Sequence, residues 1–195
     1  MGIDLTELKR LREETSAPVS ACKEALDEAG GNYDKARELI KKRGQEVVDK
    51  KSSRETKEGL LGSYVHSNGK MGAMVKVLCE TDFVAKNEEF IAFVHDVALQ
   101  VAATNPMFVS IDDVTDEALA DEKARIEEEV AKEDKPEEVK AKIIEGKLNK
   151  FKTEISLMSL PLVKDADKTL GEALADITGK LGEKIEIGEF VRFEI

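Results

Sequence analysis

Residues 60–80 read LLGSYVHSNGKMGAMVKVLCE, and the pattern within them decides the fold class. Asn68-Gly69 is a strong short hairpin signal, because a type I′ turn needs positive φ at both central positions. The flanking runs, Leu60 to Ser67 and Met71 to Glu80, alternate with the period of two that strands have. In the second run Ala73, Val75, Val77 and Cys79 share one face, while Met74, Lys76, Leu78 and Glu80 share the other. A third run closes the chain. Ile185, Ile187, Val191, Phe193 and Ile195 fall on odd positions, and Glu186, Arg192 and Glu194 on even ones. Glu189 and Phe190 break that alternation beside Gly188, so a bulge is expected there.

Helices fill the interval between the second and third strands. Phe90, Phe93, Val94, Val97, Ala98 and Val101 follow i, i+3, i+4, i+7, i+8, i+11, with Asn87 as the cap. Asp116 to Lys132 is polar apart from Leu119, Ile126 and Val130. Asp134-Lys135-Pro136 breaks it, and Val139, Ile143, Leu148, Phe151 and Ile155 mark a return helix. Two helices with thin apolar stripes predict a hairpin over about 116–155 that projects into solvent. A last helix is expected from about Thr169 to Leu181.

Ahead of the hairpin strands the period is helical. Leu5, Leu8 and Leu11 form one stripe. Val19, Cys22, Leu26 and Ala29 form a second, with Ser16 as its expected cap and Pro18 tolerated in a first turn. Gly30-Gly31 stops that helix, and Asn32 caps a third with Ala36, Leu39 and Ile40 inward. Residues 1–45 are therefore expected to form a three-helix module. Residues 41–58 carry 7 basic and 4 acidic groups and few apolar ones, which predicts a fraying helix end and then a linker over 46–58. The expected class is α+β: the module, the linker, then a core over 59–195 with a three-stranded antiparallel sheet, packed helices and the inserted hairpin.

Composition narrows the function. The chain has 195 residues, 30 Lys+Arg and 41 Asp+Glu, a net charge of −11. Phosphate contacts need cations, so no direct nucleic-acid partner is expected. Residues 101–150 alone carry 8 basic and 14 acidic groups, which suits a solvated projection. No run approaches 18 apolar residues, so no membrane partner is expected. The N-terminus does not read as a signal peptide, and two cysteines without a C-x-x-C spacing give neither a disulfide framework nor a metal site. A reducing cytoplasm is the expected compartment, and no cofactor is expected.

Catalysis has few candidates. His95 falls on the polar side of its helix, His66 sits beside the hairpin turn, and Cys79 alternates onto the apolar strand face. Surface histidines and a buried thiol are the readings these positions favour, against a hydrolase built on Cys79 and His66. Gly62, Gly69 and Gly72 make no phosphate loop. One segment stands apart: CETDFVAKN, residues 79–87. On the residues alone it is a strand-to-helix joint in which Thr81 or Asp82 caps a turn and Phe83 packs inward. The alternative is a protruding Asp–Phe pair.

CETDFVAKNEEF, taken with GLLGSYVHSNGKMGAMV, EGKLNKFKTEISL, the terminal FVRFEI and LKRLREETSAPVSACKEALDEAGGNYDKARELIKKRG near the start, resembles the bacterial elongation factor Ts family over nearly the whole chain. The resemblance implies a ubiquitin-associated-like first module and exchange of guanine nucleotide on elongation factor Tu, bound both with GDP and without nucleotide. It implies that Thr81, Asp82, Phe83 and Val84 disturb the partner's Mg²⁺ and phosphate site. It implies further contacts from Arg12, Val19, Lys23, His66 and Val163, and no enzyme chemistry. Where the family usually has Thr-Gly-Ala-Gly before Asp-Cys-Lys, this chain has Thr15-Ser16-Ala17-Pro18 and Ala21-Cys22-Lys23. It carries one copy of the core where long members carry two, so a homodimer is expected.

Overall fold

The computed structural model describes residues 4–15 and 17–195, Gln45 by its backbone only. The sheet is antiparallel with β1 (Glu58–Val65), β2 (Met71–Cys79) and β3 (Ile185–Glu194) in the order β1-β2-β3. Gly69 takes φ +67° at the tip of the first hairpin but Asn68 does not take positive φ, so the turn is not type I′: Gly69 N–H donates to the His66 carbonyl across Ser67-Asn68 at 2.8 Å, and His66 N–H closes on the Met71 carbonyl at 2.8 Å. The register pairs Leu60 with Val77 and Tyr64 with Ala73. The inner face of β2, Ala73, Val75, Val77 and Cys79, is buried as the alternation predicts.

The bulge falls where the sequence places it, but its consequence differs from the expectation. Val77 pairs with Ile187 and Val75 with Phe190, so Gly188 and Glu189 both lie opposite Lys76. One extra residue inverts every side chain beyond it. Ile185 and Ile187 are buried, whereas Val191 and Phe193 lie on the opposite, exposed face. Phe190 packs against the core in their place, and Arg192 Nε donates to the Ala102 carbonyl at 2.8 Å. The five odd-numbered residues therefore do not share one face.

Helix α4 is a single turn, Asp82–Ala85, and α5 (Glu88–Thr104) lies across the inner face of the sheet. Asn87 caps α5 by accepting from Glu89 N–H at 2.8 Å. The stripe Phe90, Phe93, Val94, Val97, Ala98 and Val101 is buried against β2. Contact with β1 is close at Gly62, where a Cβ would stand 2.6 Å from Val94 Cγ1 and 2.8 Å from the Val94 carbonyl oxygen.

Next come α6 (Asp116–Ala131) and α7 (Glu137–Ile155), the expected hairpin, with Leu119, Ile126 and Val130 buried between them and Lys147 paired to Glu129 at 2.7 Å. Thr169 caps α8 (Leu170–Leu181) in a capping box with Glu172.

Three helices precede the sheet: α1 (Leu5–Thr15), α2 (Val19–Glu28) and α3 (Tyr33–Lys51). Leu11, Cys22, Ala25, Leu26, Ala36 and Ile40 give them a core of their own. The Ser16 cap lies outside the described residues. Helix α3 continues through residues 46–51, where the sequence predicts the start of a linker. Its second half packs along α8, with the Cβ position at Gly44 only 3.7 Å from Ala175 Cβ. Lys41 pairs with Glu172 at 2.8 Å, and Lys51 Nζ donates to the Gly182 carbonyl at 2.6 Å. Tertiary packing extends a helix that its own weakly apolar sequence would let fray.

Gly62→Ala should lower stability by about 1–3 kcal/mol, because the added methyl meets both a side chain and a backbone oxygen of α5. Urea unfolding followed by far-UV circular dichroism should show a lower midpoint, and an unchanged midpoint would show that α5 can shift outward freely.

Candidate functional site

The site is built where β2 ends. Cys79 is the last residue of β2 paired to β3, opposite Ile185. Beyond it the backbone N–H groups of Glu80 and Thr81 have no strand to bond. They donate instead to Glu183 Oε2, at 3.1 and 3.0 Å, and the Thr81 hydroxyl donates to Glu183 Oε1 at 2.6 Å. The exchange is mutual, since Glu80 Oε1 accepts from Lys184 N–H at 2.5 Å and from Arg54 Nη1 at 3.2 Å. The Lys184 N–H first, and then Arg54, hold the Glu80 carboxyl below the usual carboxylate range. Gly182, at φ +75° in the left-handed cap of α8, turns the chain to deliver Glu183.

From this anchor α4 makes one turn and splits its residues. Val84 and Ala85 are buried in the main core. Phe83 points away from it and is 81% exposed. The inward-packed Phe83 that the joint alone suggested is therefore not what forms. Asp82 lies beside it, paired to Lys86 at 2.7 Å, and that lysine holds its carboxyl below the ordinary range. A fixed carboxylate and a ring in water, both on a turn clamped from either side, make a preformed knob. Of the four residues expected here, Thr81 clamps, Val84 anchors, and Asp82 and Phe83 face outward.

Helix α5 links the knob to two other expected positions. His66 Nδ1 lies 3.1 Å from the Tyr64 hydroxyl, and the Tyr64 ring meets His95 of α5 edge-on at 6.0 Å between centroids. Val163 is exposed, its N–H donating to Gln100 Oε1 at 2.8 Å. Gln100 Nε2 in turn donates to the Pro161 carbonyl at 2.8 Å, and Lys164 pairs with Asp96. Twelve residues of helix separate Glu88 from Gln100, about 18 Å at 1.5 Å per residue. Arg12, Val19 and Lys23 stand exposed on α1 and α2, the last two on one helix face at i, i+4 spacing.

The hydrolase alternative fails on geometry. Cys79 pairs across from Glu58 and His66 follows Val65, so they occupy opposite ends of the hairpin, separated by about seven residues of strand or roughly 23 Å. Burial and the nearby Glu183 charge push the Cys79 thiol up to about 11, and its Sγ donates to the Thr81 carbonyl at 3.2 Å. Among the described residues no group of three or more His, Cys, Asp or Glu side chains could hold a metal ion. No helix among them is long and apolar enough to cross a membrane.

Two residues that matter to the site carried no sequence signal. Glu183 sits among alternating charges after a helix stop, and Gln100 interrupts an apolar stripe. Only the tertiary pairing of distant segments shows what each of them holds.

A family model described as Elongation factor TS matches residues 9–195. A protein of Rubrobacter xylanophilus named Elongation factor Ts is 45% identical over 195 residues, the whole of both chains. Proteins of the same name from Geotalea uraniireducens and Alkaliphilus oremlandii are 43% and 46% identical over the whole of this chain and 90% of theirs. With the family model spanning nearly all of it and these relatives aligned end to end, the chain belongs to the elongation factor Ts family.

Proposed function

We propose that this chain is a guanine nucleotide exchange factor for translation elongation factor Tu, acting in the cytoplasm during protein synthesis. The observation that carries the reading is the Asp82–Phe83 knob, an exposed aromatic on a turn that is clamped at both ends. Phe83 wedges into the partner's GTPase domain near its Mg²⁺ and phosphate site and displaces the packing that holds the metal-binding loops. Loss of Mg²⁺ removes the main charge neutralising the β-phosphate of GDP. Coupling is reciprocal: a factor that weakens nucleotide binding is itself expelled by nucleotide. No bond of the nucleotide breaks, so the activity is exchange rather than enzyme catalysis.

The three-helix module docks on the same GTPase domain through Arg12, Val19 and Lys23, while His66 and Val163 touch the partner away from the nucleotide. A second copy of the chain covers the outer sheet face. Support for that comes from Leu61, Val65 and Phe193, 71%, 70% and 71% exposed, with Met74 and Val191 between them. These five side chains come from all three strands, with Ser63 and the Lys76–Glu189 pair beside Leu61, and an exposed apolar patch with a polar rim is what associating proteins bury.

Phe83→Ala should slow stimulated GDP release by about tenfold or more while weakening partner binding much less, the signature of an interaction made in the transition state. Stopped-flow release of a fluorescent GDP reads the rate, and an unchanged rate would sink the Phe83 role. Lys23→Ala should raise the dissociation constant for nucleotide-free partner several-fold, roughly 1 kcal/mol, without changing the maximal release rate. Isothermal calorimetry checks the first half and the same release assay the second. Light scattering at micromolar concentration should give about twice the 21.5 kDa of one chain, falling to one chain for Phe193→Asp. A monomer in the unmodified protein would end the dimer proposal.

A further inference from the structure

We propose that Glu183 is a positioning residue for exchange: its carboxylate fixes the direction in which Phe83 leaves the sheet. The inference rests on the reading of Phe83 given above and adds to it the group that aims the ring.

Three donors converge on this one side chain, two from backbone N–H groups and one from the Thr81 hydroxyl. Thr81 is the N-cap residue of α4, a position where a hydroxyl ordinarily accepts from the first turn of its own helix. Here no such bond forms, and the hydroxyl is committed to Glu183. A four-residue helix cannot hold itself by its own ladder. The orientation of Phe83 is therefore set from outside, by Glu183 on one side and by the buried Val84 and Ala85 on the other. The lever arm is short, because Phe83 is two residues from the last clamped atom.

The carboxylate suits this task better than an amide. Both oxygens accept, and the ion strengthens each bond. Glutamine would offer one oxygen and turn an NH₂ group toward donors that need an acceptor. The return bond from Lys184 N–H to Glu80 locks the same joint from the opposite strand, so the turn cannot pivot about a single contact. A misplacement of about 1 Å in a positioned group can cost up to about a hundredfold in rate. Release of the clamp would leave Phe83 present but poorly aimed.

The test uses the full chain with nucleotide-loaded elongation factor Tu in a concentration series, giving a maximal release rate and a half-saturating concentration. Glu183→Ala should lower the maximal rate about tenfold and move the half-saturating concentration by less than about threefold. Glu183→Gln should fall between it and the unmodified chain. The double variant Phe83→Ala/Glu183→Ala should release GDP no more slowly than Phe83→Ala alone, because a clamp with nothing to aim has no further effect. Additive losses in the double variant, a half-saturating concentration that rises in proportion to the lost rate, or an unchanged maximal rate would each overturn the proposal. Should Glu183→Ala not fold, Thr81→Val, which removes one of the three donors, carries the same expectation at about threefold. Phe83→Ala without effect overturns the reading of the knob itself. Slow release by Phe83→Ala with normal release by Glu183→Ala overturns the clamp alone.

Discussion

The hydrogen bonding of β2 has to end somewhere, and how it ends governs what the molecule can present. Up to Cys79 the strand is satisfied by neighbours on both sides. One residue later the ladder stops while the backbone is still partly buried, and an unbonded N–H there would cost roughly 1–3 kcal/mol. Two carboxylates take over the role of strands. Glu183 accepts from the β2 side and Glu80 accepts from the β3 side, so each strand end is finished by the side chain of the other. The joint is rigid without being long, which lets the chain turn outward within two residues and carry an aromatic ring into solvent.

The other end of the sheet is governed by a single inserted residue. Had β3 kept its alternation, Val191 and Phe193 would lie under α5, and the outer face would carry Phe190 and Arg192 in their place beside Leu61, Val65 and Met74. The bulge at Gly188–Glu189 turns them outward and brings Arg192 inward, where it donates to the last turn of α5. Cations are favourable at a helix C-terminus, so the half-buried guanidinium, which also pairs with Glu194 at 2.6 Å, has a partner suited to its charge. The result is a sheet with two apolar faces in a core that covers only one of them. An exposed face of this breadth carries a risk of non-specific association, which the proposed second copy would remove.

Much of the fold was legible because its signals are local. Asn68-Gly69 specifies a turn by backbone geometry, Asn32, Asn87 and Thr169 cap the helices that follow them, and Phe90 to Val101 repeats with one period over three turns. The errors share one cause. Residues 46–51 are weakly apolar and become helical through contact with the end of α8, 131 positions away in sequence at the Lys51–Gly182 bond. The far half of β3 reads in sequence as keeping one face, because a bulge can be located by its glycine while its effect on facing depends on the partner strand. Phe83 was ambiguous for the same reason. Nothing between Cys79 and Asn87 records that Glu183 holds the turn, so local pattern alone favoured the inward ring.

The clamp also bears on why the proposed exchange activity can be carried by so small a knob. Binding that orders a flexible loop loses part of its interaction free energy to conformational entropy, about 1–2 kcal/mol for each backbone residue fixed. An exchange factor must spend its interaction with the partner on distorting the nucleotide site, and any fraction lost to ordering its own loop is unavailable for that distortion. Here residues 80–85 are ordered before contact by bonds internal to the chain, at Glu183, Glu80, Val84 and Ala85. An exposed phenylalanine is unfavourable in the free protein by roughly 2 kcal/mol of forgone burial. In the proposed exchange that free energy is returned as the ring enters an apolar pocket of the partner, at the point where distortion is needed. Preorganisation and exposure are thus two halves of one device: the first keeps the ring aimed, and the second leaves its burial to be completed by the partner.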